Sequence, residues 1–112
     1  EGKHQGKQMA KPETIALMKT DQVPLNINAH YFDEGGQLAE GFTFGYQIVR
    51  KETSKTLKQK GTIGWSGASG PIFFIDPKEE LIGIYMFQTQ PPSQVGTRKT
   101  FADWMIKATK SN

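Results

Sequence analysis

Seven consecutive residues near the end of the chain, Leu81-Ile82-Gly83-Ile84-Tyr85-Met86-Phe87, carry neither charge nor proline. A run this short, apolar and rich in β-formers is the pattern of a strand buried on both faces of a sheet. It commits the chain to a fold in which both faces of that sheet are covered. Just upstream, 72–75 is a second short apolar strand, and Asp76-Pro77-Lys78-Glu79 is the turn that joins the two. A further strand is expected from about Lys60 to Ser66, turned by Gly67-Ala68-Ser69-Gly70. Earlier still, Phe42, Phe44, Tyr46 and Ile48 alternate with Thr43, Gly45, Gln47 and Val49. Period-two patterning of this kind predicts one half-buried strand over 42–49. Residues 51–58 form a charged connection, and Gln90-Pro91-Pro92 breaks the sheet.

Helices bracket the strands. Pro12 suits the first turn of a helix, where its missing N–H leaves nothing unsatisfied. Ile15 and Met18 then share a face, and the helix ends near Thr20 because Val23-Pro24 forces an extended backbone. Residues 1–11 read as a loop or tail, and 21–41 have a loop composition of Asn, Asp and Gly. The last segment is the clearest helix: Phe101, Trp104, Met105 and Ala108 fall at i, i+3, i+4 and i+7 and are expected on the sheet. The fold class is therefore α+β, an antiparallel meander of about four strands with a short N-terminal helix and a C-terminal amphipathic helix. Helices on one face cover that face well and the other poorly, so part of the cover is expected to come from outside this chain.

With 112 residues and no internal repeat, residues 1–112 form a single domain able to bury about 60–70% of its extended-chain surface. There is no cysteine, which excludes disulfides and thiolate metal sites. The net charge of +3 is spread thinly, apart from a loose run at Lys51, Lys55, Lys58 and Lys60. No aromatic surface interleaves that run, so it reads as a solvated turn and no nucleic-acid partner is expected. No apolar run approaches the ~20 residues of a membrane span, and no basic-then-apolar leader opens the chain.

Catalytic chemistry is hard to place. His4 and His30 have no Cys, His or paired carboxylate at a ligand spacing, so neither a metal site nor any other cofactor is expected. Glu79-Glu80 is a solvated turn tip. The glycines of 61–70 match neither a P-loop nor a dinucleotide fingerprint. A serine nucleophile activated by lysine needs both on one helical face, at i and i+3. Ser54, Ser66, Ser69 and Ser93 are followed at that distance by Leu57, Ser69, Ile72 and Gly96. No Tyr-x-Asn occurs either, since Tyr31 is followed two on by Asp33 and Tyr46 by Ile48.

The stretch from Gly64-Trp65-Ser66-Gly67 through Asp76-Pro77-Lys78-Glu79-Glu80-Leu81 to Met86-Phe87-Gln88 resembles the end of the serine β-lactamase, penicillin-binding-protein and esterase superfamily, nearest its class C β-lactamase-like branch. In that family a Lys-Thr-Gly motif, or a variant such as Trp-x-Gly, lies on a strand lining the catalytic cleft. An Asp-Pro-Lys turn and an apolar strand ending in Met and Gln or Asn follow it. Three more pieces fall in order: 6–22 resembles the family's loop and short helix, 41–49 its Tyr-Gly-Leu-Gly-Phe strand, and 95–110 its closing helix.

The resemblance implies that Trp65, Ser66 and Gly67 are the third motif and bind substrate, Ser66 through its hydroxyl. It implies that the backbone N–H of Ala68 is half of an oxyanion hole. On the residues alone, Gly67 and Gly70 equally suit a tight turn and Trp65 an ordinary core. Trp65 stands where penicillin-recognising members have lysine, so the motif lacks an anion-binding charge and β-lactam hydrolysis is not expected even of the parent. Lys11 stands where the family has a Ser cap, a change that should weaken the first helix by about 0.5–2 kcal/mol.

The chain is thus expected to be a C-terminal piece of a serine hydrolase, inactive alone, whose partner is the missing N-terminal part bearing Ser-x-x-Lys and Tyr-x-Asn. The resemblance implies a bacterial periplasmic or secreted setting. A homodimer through strand 81–87 is the expected response to an uncovered edge. The other reading is a non-catalytic α+β module that binds a partner through that edge.

Overall fold

The computed structural model describes residues 2–27, 38–53, 57–88 and 95–110. Strands β3 (Glu40–Phe42), β4 (Gln47–Val49), β5 (Ile63–Ser66), β6 (Ile72–Asp76) and β7 (Leu81–Tyr85) form one antiparallel sheet in the order β3-β4-β5-β6-β7. Each strand pairs with its neighbour in sequence, as expected of a meander. Helix α1 spans Pro12–Met18 and α2 spans Val95–Lys110. The strands β1 (Lys3–His4) and β2 (Lys7–Gln8) make a separate small hairpin where a featureless tail was expected. Gln5 and Gly6, both at positive φ, turn it.

The sheet has five strands because the alternating segment 42–49 is not one strand. Thr43 and Tyr46 close a turn inside it: the Thr43 N–H donates to the Tyr46 carbonyl at 2.7 Å, and the Tyr46 N–H to Thr43 Oγ1 at 3.1 Å. Phe44, at the tip, is 63% exposed. The hydroxyl of Thr43 offers the backbone a local partner that period-two counting does not see. Val49 and Ile48 then return beside Glu40 and Gly41.

Register divides the sheet into two unlike faces. Gly64, Phe74 and Gly83 lie side by side, as do Ser66, Ile72 and Tyr85. This face carries α2, and Phe74, Ala102 and Ile106 form the fully buried core, with Leu81, Phe101 and Met105 packed against it. Phe101 stacks on Tyr85 with centroids 4.9 Å apart and meets Phe74 edge-on at 6.3 Å. Trp104 does not pack on the sheet. It is 68% exposed, and its place is taken by Ala102 and Ile106. At 100° per residue, the buried set 101, 102, 105 and 106 centres a face from which position 104 points away. The small Ala102 lets the helix approach the Phe74 ring. Ala108 is exposed as well.

The other face holds Ile63, Ile75 and Ile82 in one row and Trp65, Phe73 and Ile84 in the next. The two helices therefore lie on opposite faces, where a one-sided arrangement was expected. Helix α1 meets Tyr46, Ile63 and Ile75 through Ile15 and Met18, but across an apolar gap of about 280 Å³. Lys11 makes no side-chain cap at its start. Beyond α1 this face is open: Ile82 and Ile84 are each 62% exposed and Met86 79%. Among the described residues, the apolar run at 81–87 is thus covered on one face only, by α2, and β7 is the edge of the sheet.

One polar network ties the chain's first half to the sheet. Asp21 Oδ1 accepts from the N–H groups of Val23 and Phe42, and Arg50 Nε donates to Asp21 Oδ2 at 2.5 Å. Arg50 Nη2 also donates to the Val23 carbonyl at 2.8 Å. Burial raises the Asp21 pKa, but the Arg50 hydrogen bond, the two amides and the Arg50 charge outweigh it and hold the carboxyl below its usual value. A Cβ at Gly41 would overlap this carboxylate.

Candidate functional site

Strand β5 brings Trp65 and Ser66 to the end of the sheet, and 67–70 turn the chain back into β6. The Gly67 N–H donates to the Pro71 carbonyl at 2.9 Å and the Gly70 N–H to the Gly67 carbonyl at 3.0 Å. Gly70 has φ +115, and a Cβ there would strike the Phe87 ring; at Gly67 a Cβ would meet Pro71. Gly70 is thus required by the turn's backbone, and Gly67 by the closeness of the Pro71 ring. The two residues between them, Ala68 and Ser69, have backbone N–H groups without a hydrogen-bond partner among the described residues. Ala68 is exposed. A free backbone amide at a strand end is able to donate to an oxygen of a ligand.

The expected site residues come together here, on different sides. Trp65 is half-buried and meets Phe42 edge-on at 5.0 Å. It lines an open apolar groove of about 390 Å³ whose walls include Gly67, Pro71, Phe73, Ile84 and Met86 and which Ser66 and Ile72 also border. Ser66 turns to the other face. Its Oγ lies 3.3 Å from Arg98 Nη1. Nearby, Glu40, Gln47, Lys58, Thr62 and Ser66 are the polar part of the lining of a cavity of about 10 Å³, room for a single water, which Trp65 and Phe73 also border. Thr62 Oγ1 is buried there without a partner among the described residues.

Arg98, from α2, reaches this turn and was not among the residues expected here. Besides Ser66, its guanidinium donates from Nε to the Gly70 carbonyl at 2.9 Å and from Nη2 to the Gly67 carbonyl at 2.6 Å. The motif lacks a lysine, yet a cation from α2 stands beside it. A signal was available: Arg98 precedes Phe101 and Ala102 by three and four positions and so shares their sheet-facing side.

Other expectations resolve more simply. Lys58 is buried at 8% exposure and Gln59 at 6%, so the basic run is not one solvated turn. Lys51 and Lys60 are exposed. Glu80 is exposed, but Glu79 is half-buried and accepts from Gln59 Nε2. His4 is exposed on β1, and no group of three His, Cys, Asp or Glu able to hold a metal occurs among the described residues. Among the same residues, no helix is long and apolar enough to cross a membrane. Residues His30, Tyr31, Asp33, Ser54, Lys55, Pro91, Pro92 and Ser93 lie outside the described residues.

No protein-family model matches the chain, and no curated protein matches it in sequence. Its backbone is similar to that of a mutant of simvastatin synthase (LovD) from Aspergillus terreus, with a TM-score of 0.72 and 20% sequence identity. The match covers 94% of this chain and 30% of that one. The two share a fold. The α+β architecture expected from the sequence is the one found, and it is compatible with a partial β-lactamase-like fold. This chain spans less than a third of the length of the enzyme it matches.

Proposed function

We propose that this chain is the C-terminal portion of a β-lactamase-related serine hydrolase. It supplies the strand of the third active-site motif and one oxyanion donor, and the nucleophile comes from an N-terminal portion. In this reading Trp65 and Gly67 wall the substrate cleft and the Ala68 N–H faces the developing oxyanion; the Ser66 hydroxyl, expected to anchor substrate, lies instead on the α2 side beside Arg98. A Ser-x-x-Lys and a Tyr-x-Asn in the N-terminal portion would carry the nucleophile and its base.

The observation that carries the reading is at the end of β5. The residues resembling a third motif are followed at once by a glycine-bounded turn whose Ala68 and Ser69 amides are free among the described residues. The shared fold over 94% of the chain supports it. One donor of this kind is worth about 2.7–4 kcal/mol to a transition state, too little to replace a missing nucleophile. The chain alone is therefore inactive. Exposing it to a fluorophosphonate probe tests this: no covalent labelling of Ser66 or Ser69 is expected, and labelling of either would refute the assignment.

A second reading rests on a different observation. Strand β7 is an uncharged sheet edge with Ile82, Ile84 and Met86 exposed, a surface suited to pairing with another strand. A non-catalytic module binding a partner there, or a homodimer across 81–87, would use that edge. Esterase activity on mixing with the N-terminal portion favours the hydrolase; binding without turnover favours the module.

A further inference from the structure

The guanidinium of Arg98 meets three acceptors within five residues of sequence: Ser66 Oγ and the carbonyls of Gly67 and Gly70. Arg98 is itself half-buried in the first turns of α2, which places the charge between helix and turn. A planar fork of donors satisfies separated acceptors in a way that a single ammonium cannot.

The geometry has a consequence for the amide after the motif. In a planar trans peptide the carbonyl of one residue and the N–H of the next point in opposite directions. Arg98 draws the Gly67 carbonyl toward α2, at 2.6 Å, so the Ala68 N–H must point away from α2. The Gly70 N–H donates to the same Gly67 carbonyl, which fixes that peptide plane from both ends of the turn. We propose that Arg98 is a positioning residue: it aims the Ala68 amide outward, and α2 thereby sets the geometry of the site without touching substrate. The functional weight of this role rests on the hydrolase reading above; the structural role does not.

The test is made on the chain as it stands, with the variants Arg98→Lys and Arg98→Ala followed by amide NMR. In Arg98→Lys the Gly70 amide is expected to exchange about tenfold faster or more, because its acceptor is no longer held. The Ala68 resonance should shift, while the amides of Phe74 and Gly83 keep their protection. Methylguanidinium added to Arg98→Ala should return the Ala68 resonance toward its original position. Unchanged Gly70 exchange and an unmoved Ala68 resonance in both variants would overturn the proposal. So would loss of β6–β7 protection in both, which makes Arg98 a general support of the fold. Once the chain is paired with its N-terminal portion, Arg98→Lys should lower kcat with little change in KM. Turn amides that move with kcat untouched would sink the Ala68 oxyanion role and leave the positioning role standing.

Discussion

Phe74 lies directly opposite Gly83 in the β6–β7 register, and its ring occupies the space that a Cβ on Gly83 would need. Gly64 flanks the same phenylalanine from β5, where a Cβ would press on the Phe73 carbonyl and the Phe74 backbone. The glycine inside the apolar run is therefore a packing requirement. Gly83→Ala should destabilise the chain by about 1–3 kcal/mol through overpacking, since the ring is fully buried and held by Ala102 and Ile106. Urea unfolding measures it, and a variant as stable as the parent would mean the ring has room to move.

The two faces of α2 give a paired prediction. Ile106→Ala should cost about 2–5 kcal/mol, because a fully buried side chain leaves a cavity against Phe74. Trp104→Ala should fall within about 0.5 kcal/mol, because the indole is mostly exposed. Thermal or urea melts of both variants check the contrast. Equal losses would place Trp104 on the sheet after all.

Much of this architecture was legible in the residues, and the misses have physical causes. The strands β5, β6 and β7 and their turns follow from apolar runs cut by Gly67–Gly70 and Asp76-Pro77, because strand period and turn chemistry agree there. Asp76 shows why: its Oδ1 accepts from the Lys78 and Glu79 amides and closes the turn by itself. Segment 42–49 misled because Phe44 continued the alternation across a turn made by the Thr43 side chain. Trp104 misled because counting apolar residues at helical spacing favours the largest one, whereas close helix–sheet contact favours Ala102. Trp65, Ser66 and Gly67 were singled out through resemblance alone. Arg98 was not singled out: its helical spacing to Phe101 and Ala102 marked its side of α2, but two of its three acceptors are backbone carbonyls, which leave no mark in sequence.

Acid should weaken the chain through Asp21. Its carboxyl is held below the usual aspartate value in the fold, so its contribution is present above the unfolded value of about 3.9. That contribution is lost as pH falls through the lower folded value. Asp21→Asn should remove this component and flatten stability against pH below about pH 4. Melting curves across that range decide it. Parallel profiles for the two proteins would mean that the Arg50 pair does not contribute.

The open edge of β7 predicts self-association of the isolated chain. A two-fold antiparallel pairing centred on Gly83 would set Ile82 against the partner copy's Ile84, so the edge is complementary to itself. Sedimentation should show a dimer that Ile84→Lys returns to monomer, since a lysine on a sheet edge discourages pairing. A strict monomer at high concentration, with slow amide exchange along 81–87, would show that the edge is protected from within the chain.

The most direct test of the hydrolase assignment is ester hydrolysis by this chain, alone and mixed with the polypeptide encoded immediately upstream of Glu1, using p-nitrophenyl butyrate. No turnover by the chain alone is expected. Turnover should appear on mixing, depend on a Ser-x-x-Lys in the upstream portion, and fall in the Arg98→Lys variant. Turnover by the chain alone, or a mixture that binds and stays inactive, would contradict the assignment.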